Sequence, residues 1–595
     1  MVLSRLLHSA LAVWAISLCF PASAIVTPSS TAEQSTSLAA LGDAFYSEQV
    51  RFDPVNNGTL SGDNRFDDQL NISISPAQRR QHFAKLHQLQ QRLQAIPRIQ
   101  LSDEDALTYD VLAAELRLNL GGETFPDHLL PLSQLDSMPV QLANFGSGQA
   151  EQPLNTVKDY QNYLTRIARL PQWIDQSINN MRVGMQRGIV LPRHIVNAML
   201  PPLKELTKAL DNNPFYTPAK NFPASFSTAD KEKLRQHYSQ VIQQQVIPAT
   251  KRLAAFVENK YLPASRATDG IGALPNGAQW YQQCMRLQTT MDLDPEKIHA
   301  LGLQEVARIQ MELKNLAPKL GYSGDSTQML TWVRTNPKFL PFKTEAEILD
   351  AYRAINEKVK PQLPHLFGHL PKTALDIRAE PELTRAVASD HYSLPSDDGS
   401  RPGVFWAVIN NPADYNMATM ASLFLHEGQP GHHFQLSIQQ EAKIPQFRKR
   451  ALINAYAEGW ALYAESLGKE MGLYDDPVMY ASNLRLDMVR AVRLVVDTGI
   501  HTKGWTHDQA IQYMSLNTGY SESDARNQIE RYMAWPGQAL GYKLGALKIL
   551  ELRERAKQQL GDKFSLPAFH DAILLEGPLP LSVLDQRINR WVKLQ

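Results

Sequence analysis

The chain has 595 residues, with 60 Lys and Arg against 60 Asp and Glu and a formal net charge of zero at pH 7. Hydrophobic residues are 43% and charged residues 20%, which excludes a disordered, collagen-like or multi-span membrane protein and leaves no basic field for nucleic acid. Proline (37) outnumbers glycine (31), the pattern of many helix ends rather than of a Gly-turn-rich β protein.

Residues 1–24 read as a secretory signal peptide. Arg5 supplies the positive start, Ala10 to Phe20 a short apolar stretch, and Ala22-Ser23-Ala24 a small-x-small cleavage site. The apolar stretch is too short for a membrane span of about 20 residues. Cys19 offers a lipoprotein alternative, disfavoured by the bulky Leu18 before it. The expectation is an exported protein, periplasmic or secreted, cut after Ala24. Cleavage leaves one net negative charge and one cysteine, Cys284, so no internal disulfide can form. Cys284 reads as a small buried hydrophobe.

Residues 25–40 are Ser/Thr/Ala-rich and read as a flexible lead-in. Residues 41–270 read as an N-terminal helical lobe. One helix is capped by Ser75, has Pro76 at its first position and runs to Leu93. The loop-rich stretch 261–280 marks a boundary, and 271–595 forms the C-terminal lobe. Within it, residues 371–411 hold Pro, Asp and Gly clusters around short β-like runs. Gly403 to Asn410 is the strand candidate of a small sheet, with an edge on which an extended substrate would pair. From 414 onward the pattern is helical, broken at Pro430-Gly431, Gly504 and Pro536-Gly537. The fold expected is mainly α, with a small β-sheet beside the helix described next.

That helix carries His426-Glu427-Gly428-Gln429-Pro430-Gly431-His432-His433. A zinc-protease helix usually places two His at i and i+4, with Glu beside the first. Here i+4 is Pro430, and the next histidines are at i+6 and i+7. On a regular helix His433 would lie about 10.5 Å beyond His426. Two imidazoles on one tetrahedral zinc need nitrogens roughly 3.3 Å apart. Pro430 and Gly431 must therefore bend or bulge the helix. A two-residue bulge brings in His432, which is favoured because it follows Gly; a three-residue bulge brings in His433.

A third ligand has to come from another element. Asn454 to Glu465 is a helix whose only charges are Glu458 and Glu465, seven apart on one face among Ala, Gly and Leu. A buried carboxylate needs a cation or strong hydrogen bonds. Glu458 is the candidate ligand; Glu465 is a supporting residue or the alternate ligand. The set implies one Zn2+ per chain, with Glu427 as general base.

These two motifs, together with Arg531-Tyr-Met-Ala-Trp-Pro-Gly-Gln-Ala-Leu-Gly-Tyr542, resemble the bacterial domain of unknown function family 885 over roughly residues 40–590. The resemblance implies kinship with two-His-one-Glu zinc metallopeptidases (gluzincins) and a two-lobed helical architecture of the neurolysin and thimet-oligopeptidase type. It also directs attention to a later Tyr or His as oxyanion donor. Tyr542 comes first, then Tyr532, Arg531 and His501. Arg490 and Arg493 are placed to pair with the acids or with a peptide carboxylate.

The function expected is zinc-dependent hydrolysis of short peptides. The alternatives are a zinc amidohydrolase or esterase on non-peptide substrates, and a non-catalytic binding protein on a peptidase scaffold. Retention of Glu427 beside His426 speaks against the last. The partner expected is a peptide, with no nucleic acid and no membrane span in the mature chain; the sequence leaves oligomeric state open.

Overall fold

The computed structural model describes residues 31–148, 150–385, 389–395 and 402–595. Residues 1–30, where the signal peptide is expected, lie outside the described residues. Thr31–Phe52 is a helix (α1), so the expected flexible lead-in does not extend through residues 31–40. Leu38 and Leu41 are each 1% exposed, and this apolar anchorage orders the segment despite its small polar residues. Pro76–Gln94 (α2) starts as its sequence requires: the Ser75 side chain accepts from the Gln78 N–H, and Pro76 occupies the first turn. Asp103–Gly121 (α3) is capped by Ser102 in the same way.

Further helices follow to residue 264, then Pro295–Leu320 (α4) and Glu345–Val359 (α5). Three short strands form one sheet: Leu375–Ala379 (β1), His391–Ser393 (β2) and Gly403–Ala407 (β3), in the order β1-β3-β2. β3 pairs in parallel with β1, Ile377 opposite Phe405, and antiparallel with β2, Tyr392 opposite Phe405. The expected strand exists, but it is central. Both its edges are used, so it offers none to a substrate. Its burial explains why: Gly403, Val404, Phe405 and Ala407 are all buried.

The C-terminal half is helical. Met420–Glu427 (α6), His432–Glu441 (α7), Asn454–Ser466 (α8), Pro477–Thr502 (α9), His507–Thr518 (α10), Glu522–Ala534 (α11) and Leu540–Leu560 (α12) carry the site and its walls. Helix α9 is buried almost continuously from Ala481 to His501. It packs on α4 so closely that a Cβ at Gly302 would lie 2.8 Å from the Leu494 side chain. Helices α8 and α12 cross backbone to backbone: a Cβ at Gly545 would lie 1.9 Å from the Ala455 carbonyl.

The hydrophobic core does not divide at residue 270. One cluster joins Tyr163, Trp173 and Leu253 to Leu313, Val492 and Ile529. A second joins Leu41, Leu86 and Val111 to Phe405, Phe424, Trp460 and Ile588. Each draws on both sides of the expected boundary. Among the described residues no helix is long and apolar enough to cross a membrane.

Candidate metal centre

The helix bearing His426 ends where the sequence changes character. Helix α6 is buried along nearly its whole length and stops at Glu427, where the Gly428 N–H closes on the Phe424 carbonyl at 2.8 Å. Gln429, Pro430 and Gly431 form the turn, with a cis peptide between Gln429 and Pro430, and α7 restarts at His432. The expected bulge is thus a full interruption between two helices. Gly431 permits it: a Cβ there would sit 2.0 Å from the His426 carbonyl oxygen. Trp460, fully buried on α8, donates its indole N–H to the Pro430 carbonyl at 2.8 Å and holds the turn against the helix bearing Glu458.

The turn brings His426 and His432 together, with ring centroids 4.8 Å apart and planes at 83°. The Nε2 atoms of both rings lie 3.4 Å from the same atom, Glu458 Oε2. That oxygen is buried and accepts no hydrogen bond. One donor atom from each of His426, Glu427 and His432 falls within a 4.8 Å set. Bonds of about 2.0–2.1 Å to a tetrahedral ion imply a donor–donor edge of roughly 3.4 Å, the spacing from each imidazole to Glu458. Two imidazoles and one carboxylate are also the donor set that zinc takes. The residues fit the ion.

Glu465 stands behind His426 rather than beside the three donors. Its Oε1 accepts from His426 Nδ1 at 2.9 Å and from the Arg490 guanidinium at 2.9 Å. A carboxylate on Nδ1 fixes the tautomer that leaves Nε2 free to bind a metal. Burial opposes a charged His426, but Glu458 and Glu465 outweigh it and raise its pKa to about 9. Burial pushes the Glu458 carboxyl up, and the two imidazoles more than offset this, holding it well below the usual carboxylate range.

Glu427 is 8% exposed, and burial raises its pKa against the pull of His426 and His432. Tyr352, hydrogen-bonded to Tyr415 at 2.7 Å and edge-on to Phe405 of β3, feels the charge of Glu427. Beyond them lies Asp390, pushed up to about 6 mainly by burial.

His433 points away from this group. Its Nδ1 lies 3.1 Å from the Tyr392 hydroxyl on β2, beneath Gly403, and burial lowers its pKa to about 4. His501 is not available as an oxyanion donor. The Ile271 N–H donates to its Nδ1 at 3.1 Å, and its Nε2 donates to the Tyr532 carbonyl at 3.0 Å. Burial lowers its pKa to about 3, so it is a neutral strut between α9 and the 270 loop. Tyr532 and Arg531 are engaged as well: the Tyr532 hydroxyl donates to Gln528 and accepts from Arg493, and Arg531 donates to Gln538 and Gln528.

Tyr542 remains. It lies in the first turn of α12, brought close by the Gly459–Gly545 crossing, within electrostatic reach of Glu458 and with Arg493 4.2 Å over its ring. Burial holds its hydroxyl protonated and able to donate. Cys284 is unpaired, and burial pushes its thiol up to about 12, an inert state for a nucleophile. The residues that sequence reasoning missed are Trp460, which braces the turn, and Arg485, described below. The available signal for the second was Arg485 set between Leu484 and Leu486 on the helix that also carries Arg490 and Arg493.

The sequence matches the family described as "Bacterial protein of unknown function (DUF885)" over residues 56–588, and the chain belongs to that family. It is similar to the structure of "the putative lipoprotein from Colwellia psychrerythraea", with a TM-score of 0.86 and 30% identity, covering 94% of this chain and 100% of that one. It also shares its fold with "a putative lipoprotein of unknown function from Shewanella oneidensis", with a TM-score of 0.70 and 19% identity, covering 94% and 99%. No curated protein matches it.

Proposed function

We propose that this chain is an exported zinc metallopeptidase that hydrolyses short peptides, of the two-His-one-Glu kind. One observation carries the reading: two imidazole Nε2 atoms 3.4 Å from one buried, otherwise unpartnered carboxylate oxygen, with a second buried carboxylate, Glu427, adjoining them. Export is supported by the signal-like first 24 residues and by the description of both structural relatives as lipoproteins.

His426, His432 and Glu458 would hold the ion. Bound there, zinc supplies Lewis acidity, making water acidic near neutral pH and polarising a carbonyl. Glu427 takes the proton from the attacking water and passes it to the leaving nitrogen. Glu465 keeps the His426 ring in its ligating tautomer, and Arg490 neutralises Glu465 so that two carboxylates can sit behind the site. The Tyr542 hydroxyl donates to the oxyanion that forms on the substrate carbonyl.

A peptide-library digest with the zinc-loaded protein and its Glu427→Gln variant tests this. The variant is expected to keep its metal and lose hydrolysis by about 100-fold or more. Full activity in the variant would remove Glu427 from the reaction, and an uncut library with wild type would refute the peptidase reading.

A further inference from the structure

Helix α9 carries three arginines, Arg485, Arg490 and Arg493, that are 6%, 8% and 9% exposed. A guanidinium this buried normally sits on a carboxylate, because an unpaired charge out of water is strongly disfavoured. Only Arg490 has one, donating to Glu465 at 2.9 Å and to the Leu486 carbonyl at 3.1 Å; its Nε has no partner. Arg493 donates to the Tyr532 hydroxyl at 3.0 Å and to Gln528 at 3.4 Å, and its Nη1 has no partner. Arg485 leaves both Nε and Nη1 unpartnered.

The three form one cluster. Arg485 feels the attraction of Tyr520 and Asp524 and the repulsion of Arg334 and Arg490, and Tyr520 also faces Arg493. The cluster joins the metal centre at two points. Glu465 bridges Arg490 to His426, and Tyr542, with Arg493 4.2 Å over its ring, feels the charge of Glu458. Orienting Glu465 accounts for Arg490 alone. Arg485 and Arg493 keep buried donors with nothing to receive them, and Arg493 lies against Tyr542, which is within electrostatic reach of Glu458.

We propose that Arg493, seconded by Arg485, receives the C-terminal carboxylate of the peptide substrate, so that the enzyme releases short pieces from the carboxyl end. The inference rests on the peptidase reading above. A carboxylate presents two oxygens to forked N–H donors, and the planar guanidinium is the side chain best shaped to meet them. The reaction is hydrolysis: the water oxygen bonds to the carbonyl carbon, the C–N bond breaks, and the proton passes to the leaving nitrogen. An anchored terminus fixes which bond reaches Glu427. It also excludes long chains whose ends cannot enter.

The test gives the zinc-loaded protein one peptide set in two forms, with free and with amidated C-termini, and reads products by mass spectrometry. Free-acid peptides are expected to be shortened from the carboxyl end, with amidation lowering kcat/KM by about 100-fold, the worth of hydrogen bonds to a charged group. Arg493→Met is expected to abolish the preference by slowing the free-acid peptides far more than the amidated ones, and Arg493→Lys to keep part of it. Unchanged melting temperatures and zinc content exclude misfolding as the cause. Equal cutting of both forms, or cuts only in mid-chain or at the amino end, would overturn the inference and leave the peptidase reading standing. If neither form is cut, both fall together.

Discussion

His432 and His433 are neighbours in sequence and face opposite surroundings. His432 turns its Nε2 toward Glu458, while His433 is buried against Tyr392 and kept neutral. The motif itself was legible: His-Glu before a Pro-Gly interruption states that a helix must break for a second His to arrive. Which His arrives depends on how the turn closes, and that is set by Trp460 from a distant helix. His501 shows the limit from the other side. Its two partners are backbone groups of Ile271 and Tyr532, and no side-chain pattern announces them. At this scale the prediction concerns Glu458. Glu458→Ala is expected to lower zinc affinity at least about tenfold, since it leaves two donors where the ion needs three. Zinc binding unchanged by calorimetry would move the third ligand elsewhere, first to Glu427, which is grouped with the two imidazoles.

Helices α8 and α12 deliver Glu458 and Tyr542 to one place because both are notched with glycine at their crossing. A Cβ at Gly545 would lie 1.9 Å from the Ala455 carbonyl and 2.8 Å from the Gly459 Cα. Gly545→Ala must therefore push the helices apart, at a cost of about 1–3 kcal/mol. Hydrolysis should fall more than metal content, because Tyr542 moves with α12 while both His stay on α6 and α7 and the Trp460–Pro430 bond holds α8 and its Glu458 to them; an unchanged melting temperature would show that the crossing has room to spare. A second contact belongs to this scale. Asp497 on α9 accepts from the Tyr281 hydroxyl at 2.6 Å and from the Gly537 N–H at 3.1 Å, fastening the turn before α12. Burial raises its pKa to about 7. The folded state thus keeps a proton that the unfolded chain gives up near its ordinary carboxylate pKa, about 3.9. This stabilisation is complete below that value and is lost as pH rises to about 7. Asp497→Asn should remove the loss, so its melting temperature gains on wild type between pH 4 and 7; parallel curves would contradict this. Helix boundaries such as Ser75-Pro76 were legible because caps are local. The central position of β3 was not, because pairing partners are chosen by distant strands.

At the scale of the molecule, the mainly helical character with one small sheet was legible from composition, helix punctuation and the β-like run at Gly403. The arrangement of the core was not. Chain order separates residues 41–270 from the rest, yet the clusters around Tyr163 and Leu41 each take side chains from both sides of that point. Such packing follows from which apolar faces remain unburied after local structure forms, and periodicity does not say which faces meet. The proposed metal donors belong to this level too, since α6, α7 and α8 each supply one and an ion would tie them together. The claim most directly open to test is that they hold zinc. Elemental analysis of the protein, purified without chelator or histidine tag, is expected to give one zinc per chain. No bound metal, and none taken up when zinc is added back, would contradict the account.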